Sequence, residues 1–444
     1  MPSQPQSLTP NLTPSLETLT LCLARARDPD GEGARVYTRL HAESAEIAAR
    51  ASDARRLLKE PLSPIDGMVV SIKDLFDVAG EPTMAGSAAL AHEPAALRDA
   101  DVVERLRGAG AVLIGKTNMT EFAMSGLGLN PHFGTPRNPW RRDEAYIPGG
   151  SSSGAAVSVS DGMADAAIGT DTGGSVRIPA AFCGLVGFKP TAARVSRRGA
   201  FSLATSLDSI GPIGRDVRTC DRLDAVLSGQ DARPSPPLRP RLAMPRHHVF
   251  EGLDPAVATA FEAAVRRVER AGAQIVEIDF PELTRLPELN ATGGFSPIEG
   301  FAAHAELFLR IADQADPRVM GRFLMGGEAS ARDYFLMLSL REALIEQARE
   351  RTQGFDAVIL PTVAITPPRL RDLREDEAYY RLNGLVIRNA AIANLLDRCA
   401  ISLPCHAAGE APVGFMMMGE RDADRALLAL ATHLETAIRS GHER

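Results

Sequence analysis

An α/β fold is what this chain of 444 residues predicts, and three observations carry that expectation. Apolar, β-branched runs such as MVVSI (68–72) end in polar turn residues, as buried strands do. Amphipathic stretches free of Gly and Pro, such as DADVVERLR (99–107), pass through a glycine turn into another such run, AVLIG. The same alternation of helix and strand recurs towards the C-terminus, and alternation of this kind marks an α/β protein.

Taken in order, the first fourteen residues are rich in Pro, Ser, Gln and Thr and are expected to be loose; SLETLTLCLARARD (15–28) reads as a helix capped by Ser15. A second helix is expected from His41 to Lys59, where Ala, Arg and Glu dominate. GMVVSIKDLFDVAG (67–80) is a buried strand, and 99–117 a helix, a turn and a strand. From Ala155 to Gly187 small residues prevail and charges thin out, which implies tightly packed backbone. DARPSPPLRP (231–240) is a surface connector, followed by a helix and a strand within 251–280. Residues 300–350 are largely helical by composition, FDAVILPT gives a strand ending at Pro361, and 411–438 closes with a strand and a helix.

With 45% hydrophobic and 24% charged residues the chain can bury a large core. Its net charge of −7 gives no global attraction to nucleic acid or to an anionic membrane. The start lacks a basic segment followed by an apolar run, and no apolar stretch is long enough to cross a bilayer, so a cytoplasmic protein is expected. The five cysteines, Cys22, Cys183, Cys220, Cys399 and Cys405, form no C-x-x-C pair, which argues against a disulfide framework or a zinc site and for reduced thiols.

Three motifs invite chemistry. GAVLIGKT (110–117) matches the P-loop pattern, but its variable positions are themselves a strand and the preceding segment is helical, the reverse of the required context. PGGSSSG (148–154) has the composition of a linker and also fits G-x-S-x-G around Ser152. Packing sequence follows it, unlike a linker, and RRDEAYIPGG before it is a poor strand for an elbow; His406 is the one histidine placed to complete such a triad. GTDTGGSVRIPAAFCG (169–184) offers a Gly-rich turn before Ser175, where several backbone N–H groups can converge beside a hydroxyl. Lys73, at the end of an apolar strand, is a base in its neutral form if burial lowers its pKa, or else a lysine that snorkels to solvent.

Taken together, 73–87, 110–123, PGGSSSG, 169–191 and 194–217 resemble the amidase signature family, with FDAVILPT and APVGFMMMGERDADRALL similar to its C-terminal strands. The resemblance runs from about Leu16 to about Ile438. It implies a large mixed central β-sheet covered by helices on both faces, in a single domain over 15–444 with a catalytic core at about 60–220 and a variable, mostly helical substrate region at about 285–345. It implies a catalytic set of Lys73, Ser151 in a non-proline cis peptide, and the nucleophile Ser175, with the N–H groups of Thr172, Gly173, Gly174 and Ser175 as oxyanion hole. Ser152, Asp171 and Arg177 are expected to support them, the last two as a structural ion pair. Met124 and Ser125 are substrate-lining candidates by the same resemblance, and Arg388, Asn389, Asn394, Asp397 and Arg398 form a polar cluster facing either the pocket or the helix packing.

The function implied is hydrolysis of a small-molecule carboxamide to a carboxylate and ammonia or an amine, with no cofactor and no metal. The partner expected is that small-molecule amide, with no nucleic acid and no membrane, and a homodimer is left open. The same residues also suit the glutaminase component of a tRNA-dependent amidotransferase, and a catalytically inactive binding protein on this scaffold is a third possibility.

Overall fold

The computed structural model describes residues 14–232, 234–291 and 293–439, so the segment expected to be loose lies, except for Pro14, outside the described residues. Eleven strands form one sheet. In chain order they are β1 (Tyr37–Leu40), β2 (Val69–Lys73), β3 (Val112–Thr117), β4 (Ala166–Asp171), β5 (Val186–Lys189), β6 (Ser209–Gly214), β7 (Arg241–Pro245), β8 (Gln274–Ile278), β9 (Ala357–Pro361), β10 (Ala400–Pro404) and β11 (Gly414–Met418). Across the sheet they run β1-β3-β2-β4-β6-β5-β10-β11-β9-β7-β8. Pairing is mixed: β2 is parallel to β3 and β4, β7 is parallel to β8 and β9, and the other neighbours are antiparallel. The first six strands thus make one side and the last five the other, joined where Phe188 of β5 pairs with Ile401 of β10.

Both faces of the central strands are covered, which explains their unbroken apolar runs. In β11 (GFMMM), Phe415 and Met417 enter one core cluster while Met416 and Met418 enter another. Alternation does the same in β2, where Val70 and Ile72 join the cluster containing Phe122, Phe308 and Phe323, and Val69 packs on the opposite face. Ser71 shares that second face, and its Oγ lies 2.8 Å from Ser158 Oγ on the helix Ser153–Ser160. Lys73, two residues further on, comes to the strand end on the same side.

The helix Ser153–Ser160 is buried over nearly its whole length and lies unusually close to its neighbours. A Cβ on Gly154 would sit 2.6 Å from Val36 O and 2.7 Å from Asn118 O, both fixed backbone. Three helices, Phe295–Ile311, Pro317–Gly326 and Ala331–Arg351, make up the region expected to be helical. The first two pack against the catalytic side through rings: Phe122 lies 5.1 Å from Phe308, and Phe308 lies 4.3 Å from Phe323, centroid to centroid.

Ser15 is corrected: it is the first residue of the helix Ser15–Ala26, not its cap. Pro14 precedes it, and the free N–H groups of Ser15 and Leu16 donate to Asp53 Oδ1 and Oδ2 at 2.7 and 3.1 Å, a cap supplied from the next long helix. Among the described residues no helix is long and apolar enough to cross a membrane. None of them forms a group of three or more His, Cys, Asp or Glu able to hold a metal ion.

The Gly154 contact generates a direct test. Gly154→Ala pushes a methyl group into backbone, and overpacking of this kind costs about 1–3 kcal/mol. A thermal melt should show a Tm several degrees below the parent, together with reduced turnover because Ser151 and Ser152 stand immediately before this helix. An unchanged Tm would mean that the helix is free to back away.

Candidate active site

Parallel strands end on the same edge of a sheet, and ligands of such sheets bind beyond those ends. Lys73 is the last residue of β2, and Asp171 is the last of its parallel neighbour β4. The Gly-rich turn after β4 carries Thr172 to Ser175 and then enters the helix Arg177–Phe182. PGGSSSG approaches the same edge from the side. Its Gly150–Ser151 peptide is cis, and backbone bonds lace it to the segment after β3: Thr120 N–H donates to Ser151 O at 3.0 Å and Gly150 N–H to Gly126 O at 2.8 Å. A Cβ on Gly150 would meet Gly128 N and Cα at 2.6 Å, so two glycines face each other where the segments cross.

Lys73 is fully buried. Its Nζ stands 2.7 Å from Ser151 Oγ and 2.8 Å from Thr170 Oγ1, and no carboxylate among the described residues pairs with it. Loss of water pulls its pKa down to about 7 from the usual 10.5, against the opposing fields of Asp208 and Asp171. Ser152 N–H donates to Ser175 O at 3.3 Å and Ser152 Oγ to Thr170 O at 3.4 Å, which ties the serine loop to the turn. That geometry places Ser152 at the head of the helix Ser153–Ser160. His406 is elsewhere, accepting at Nδ1 from Val413 N–H between β10 and β11.

Asp171 and Arg177 are completely buried and form a two-pronged pair, Nη2 to Oδ1 at 2.8 Å and Nε to Oδ2 at 3.0 Å. Burial alone would raise the carboxyl pKa, but the guanidinium prevails and holds it well below the usual range. Asn394 completes the set: its Oδ1 accepts from Arg177 Nη2 at 2.7 Å and its Nδ2 donates to Asp171 at 3.0 Å. Arg177 Nη1 reaches Ala390 O at 2.7 Å. The pair therefore fastens the turn to residues 390–394. The Gly174 N–H, expected to face an oxyanion, donates to Asp171 Oδ1 at 2.9 Å, because the carboxylate folds back over the turn. Thr172, Gly173 and Ser175 border the open cleft.

Asp208, which the sequence did not single out, supports the other side of the turn. It accepts from Thr172 Oγ1 at 2.5 Å, from Leu203 N–H at 3.0 Å and from Ala204 N–H at 3.1 Å. Burial shifts its carboxyl upward despite these bonds. A second buried lysine, Lys189, is pulled down to about 8 by burial and by Arg177, but donates to the carbonyls of Pro190 and Arg398 at 2.7 and 2.8 Å. Lys116 of the P-loop-like motif is buried against Asp74 at 3.0 Å, a structural pair.

Above Ser175 lies a cleft of ≈ 350 Å³. Met124 and Ser125 both line it, and Ser125 Oγ donates to Asn383 Oδ1 at 2.9 Å. Of the polar cluster, Arg388 lines the cleft as well. The other members are occupied in packing: Asn389 donates to Val249 O and Pro361 O, Asp397 pairs with Arg421, and Arg398 pairs with Glu420. Arg322, from the helix Pro317–Gly326, adds a cation that sequence reasoning missed, since nothing in RVMGRFLMG distinguishes it from a surface arginine.

The family model described as Amidase matches residues 17–428. A 2-amino-5-chloromuconic acid deaminase of Comamonas testosteroni is 36% identical over 421 residues, spanning 92% of this chain and 91% of that one. A glutamyl-tRNA(Gln) amidotransferase subunit of Anaeromyxobacter sp. is 34% identical over 466 residues, spanning 96% and 93%. Among solved structures, an amidase superposes with a TM-score of 0.87 at 31% identity and covers 96% of each chain.

Removing Arg177 leaves a buried carboxylate without its counter-charge, which costs about 3–5 kcal/mol. Arg177→Ala should therefore lower stability by that amount in chemical denaturation. A loss below about 1 kcal/mol, the worth of an exposed pair, would show that Asp171 finds solvent or another partner.

Proposed function

The chain belongs to the amidase family and is an amide hydrolase, and from that premise we propose that it splits a small-molecule carboxamide through an acyl-enzyme on Ser175, using Ser151 and Lys73 to carry the proton. One observation supports this above all: a fully buried amine whose hydrogen-bond partners are two hydroxyls and, among the described residues, no acid, so that lost hydration pulls its pKa down to about 7. A neutral amine can take a proton, and its neighbour Ser151 can hand one on.

In the proposed reaction Ser175 Oγ bonds to the amide carbon as its proton moves to Ser151 and that of Ser151 to Lys73 Nζ. The carbonyl oxygen gains the charge, and the N–H groups of the turn, Gly173 and Ser175 foremost, stabilise it. Reversal of the relay protonates the nitrogen, the carbon–nitrogen bond breaks, and ammonia or an amine departs. Water repeats the cycle on the acyl-enzyme and frees the carboxylate. Asp171, Arg177, Asp208 and Ser152 hold the turn and the serine loop in place and take no part in the bond changes.

Glutamine hydrolysis within a tRNA-dependent amidotransferase is the second reading, and the relatives favour it over a free-standing amidase: proteins named as components of glutamyl-tRNA(Gln) amidotransferases match at 34 and 33% identity across 96 and 86% of this chain. Both readings share the acyl-enzyme chemistry and differ in substrate and company. A glutaminase rate that rises on adding the other components and tRNA supports the second; ammonia release by the isolated chain from another amide supports the first. Nothing favours a non-catalytic binding protein.

Two variants test the proton path and the nucleophile. Ser175→Ala should lose labelling by a fluorophosphonate and reduce turnover by about 10⁴-fold or more; retained labelling moves the nucleophile, with Ser152 next in line. Below pH 7 Lys73 is protonated and cannot accept, so activity should rise as pH passes upward through about 7. Lys73→Ala should remove that limb and lower kcat by about 10²–10⁴-fold, and an unchanged profile would take Lys73 out of the base role.

A further inference from the structure

The wall of the cleft is electrically one-sided. Arg322, Arg388 and His248 line it, and its described lining residues include no aspartate or glutamate. The two arginines that are fully buried among the described residues are neutralised, Arg177 by Asp171 and Arg398 by Glu420, whereas Arg322 is half-buried. Arg322 has no ion-pair partner among the described residues: its Nη1 donates to Met124 O at 3.0 Å, and the titratable groups that face it are the phenols of Tyr379 and Tyr380. Lost hydration pulls its pKa down, and the two phenols oppose that shift. A guanidinium carries five N–H donors in a planar fork that fits a carboxylate, and among the described residues this one makes a single hydrogen bond, to Met124 O.

Arg388 plays a different part. Its N–H groups donate to Glu251 O at 2.6 Å, Val249 O at 3.3 Å and Asn389 Oδ1 at 3.0 Å, which clamps the loop carrying His248 and adds positive potential. Burial and the nearby Arg388 push the His248 imidazole towards its neutral form. The nearest acid on that loop, Glu251, accepts from His248 N–H at 3.2 Å and lies outside the lining.

We infer that Arg322 forms an anion subsite of the cleft, so that the amide hydrolysed at Ser175 carries a carboxylate of its own and no ammonium group next to it. This rests on the hydrolase reading above and names its substrate class. A carboxylate would supply the counter-charge that Arg322 lacks. An α-amino acid amide such as glutamine would bring an ammonium to a wall offering cations and neutral groups, and an unmatched like charge is disfavoured.

Ammonia release from succinamate and glutaramate, from their neutral counterparts butyramide and valeramide, and from glutamine decides the point, measured on the full chain and on Arg322→Gln and Arg322→Lys. The parent should prefer the anionic amides over the neutral ones by about 10–100-fold in kcat/KM, the worth of a hydrogen bond to a charged group. Arg322→Gln should collapse that ratio, and Arg322→Lys should keep part of it. A purely structural arginine would lower both substrates alike and leave the ratio standing, which overturns the subsite. So does a parent that prefers glutamine or the neutral amides, a result that needs no variant to fold. Fluorophosphonate labelling of Ser175 in the same samples separates the two levels: a labelled serine with no anionic preference removes the subsite alone, whereas an unlabelled serine removes the acyl-enzyme on Ser175 and the subsite with it.

Discussion

The site is built around one constraint, a lysine taken fully out of water with no acid in contact with it among the described residues. Burying an ammonium without a partner is costly enough that the group gives up its proton instead. The residues around Lys73 fit that outcome. Ser151 and Thr170 present hydroxyls, which serve a neutral amine as donor or acceptor, at 2.7 and 2.8 Å. The nearby acids are committed elsewhere: Asp171 faces Arg177, and Asp208 faces Thr172 and the amides of Leu203 and Ala204. Either carboxylate, moved into contact with Nζ, would restore the ammonium and leave no base.

Holding those acids in place is the work of long-range bonds. Asp171 sits at the end of β4, yet its partners come from Arg177 on the following helix and from Asn394, more than two hundred residues later in the chain. The network crosses from the side of the sheet made by the first six strands to the segment before β10, and it fixes the turn that carries Ser175. Full satisfaction of every member is what makes such a network rigid. The same network uses the Gly174 N–H, which narrows the set of donors left to face the cleft.

Much of this was legible in the sequence because it is local. Apolar runs gave β2, β3, β9 and β11, and helical composition gave 42–58, 101–108 and 255–270. What stayed hidden depends on distant partners. β6 reads SIGPIG, and a proline between two glycines carries no strand signal; it becomes a strand because β4 pairs along its full length. The first helix is capped by Asp53 rather than by a residue of its own. In the site, Lys73, Ser151 and Ser175 stand in recognisable motifs, whereas Asp208, Asn394 and Arg322 acquire meaning only when the fold brings them to the turn or to the cleft.

The chain has only four lysines, Lys59, Lys73, Lys116 and Lys189, so their side-chain carbons can be followed individually by NMR with ¹³C-labelled lysine. A titration of the folded protein, with the Lys73 signal assigned by its loss in Lys73→Met, measures the proposed base directly. The midpoint expected for Lys73 lies near 7. A midpoint at the ordinary lysine value of about 10.4 would mean that the amine is charged at neutral pH, and the proton path through Ser151 would have no acceptor.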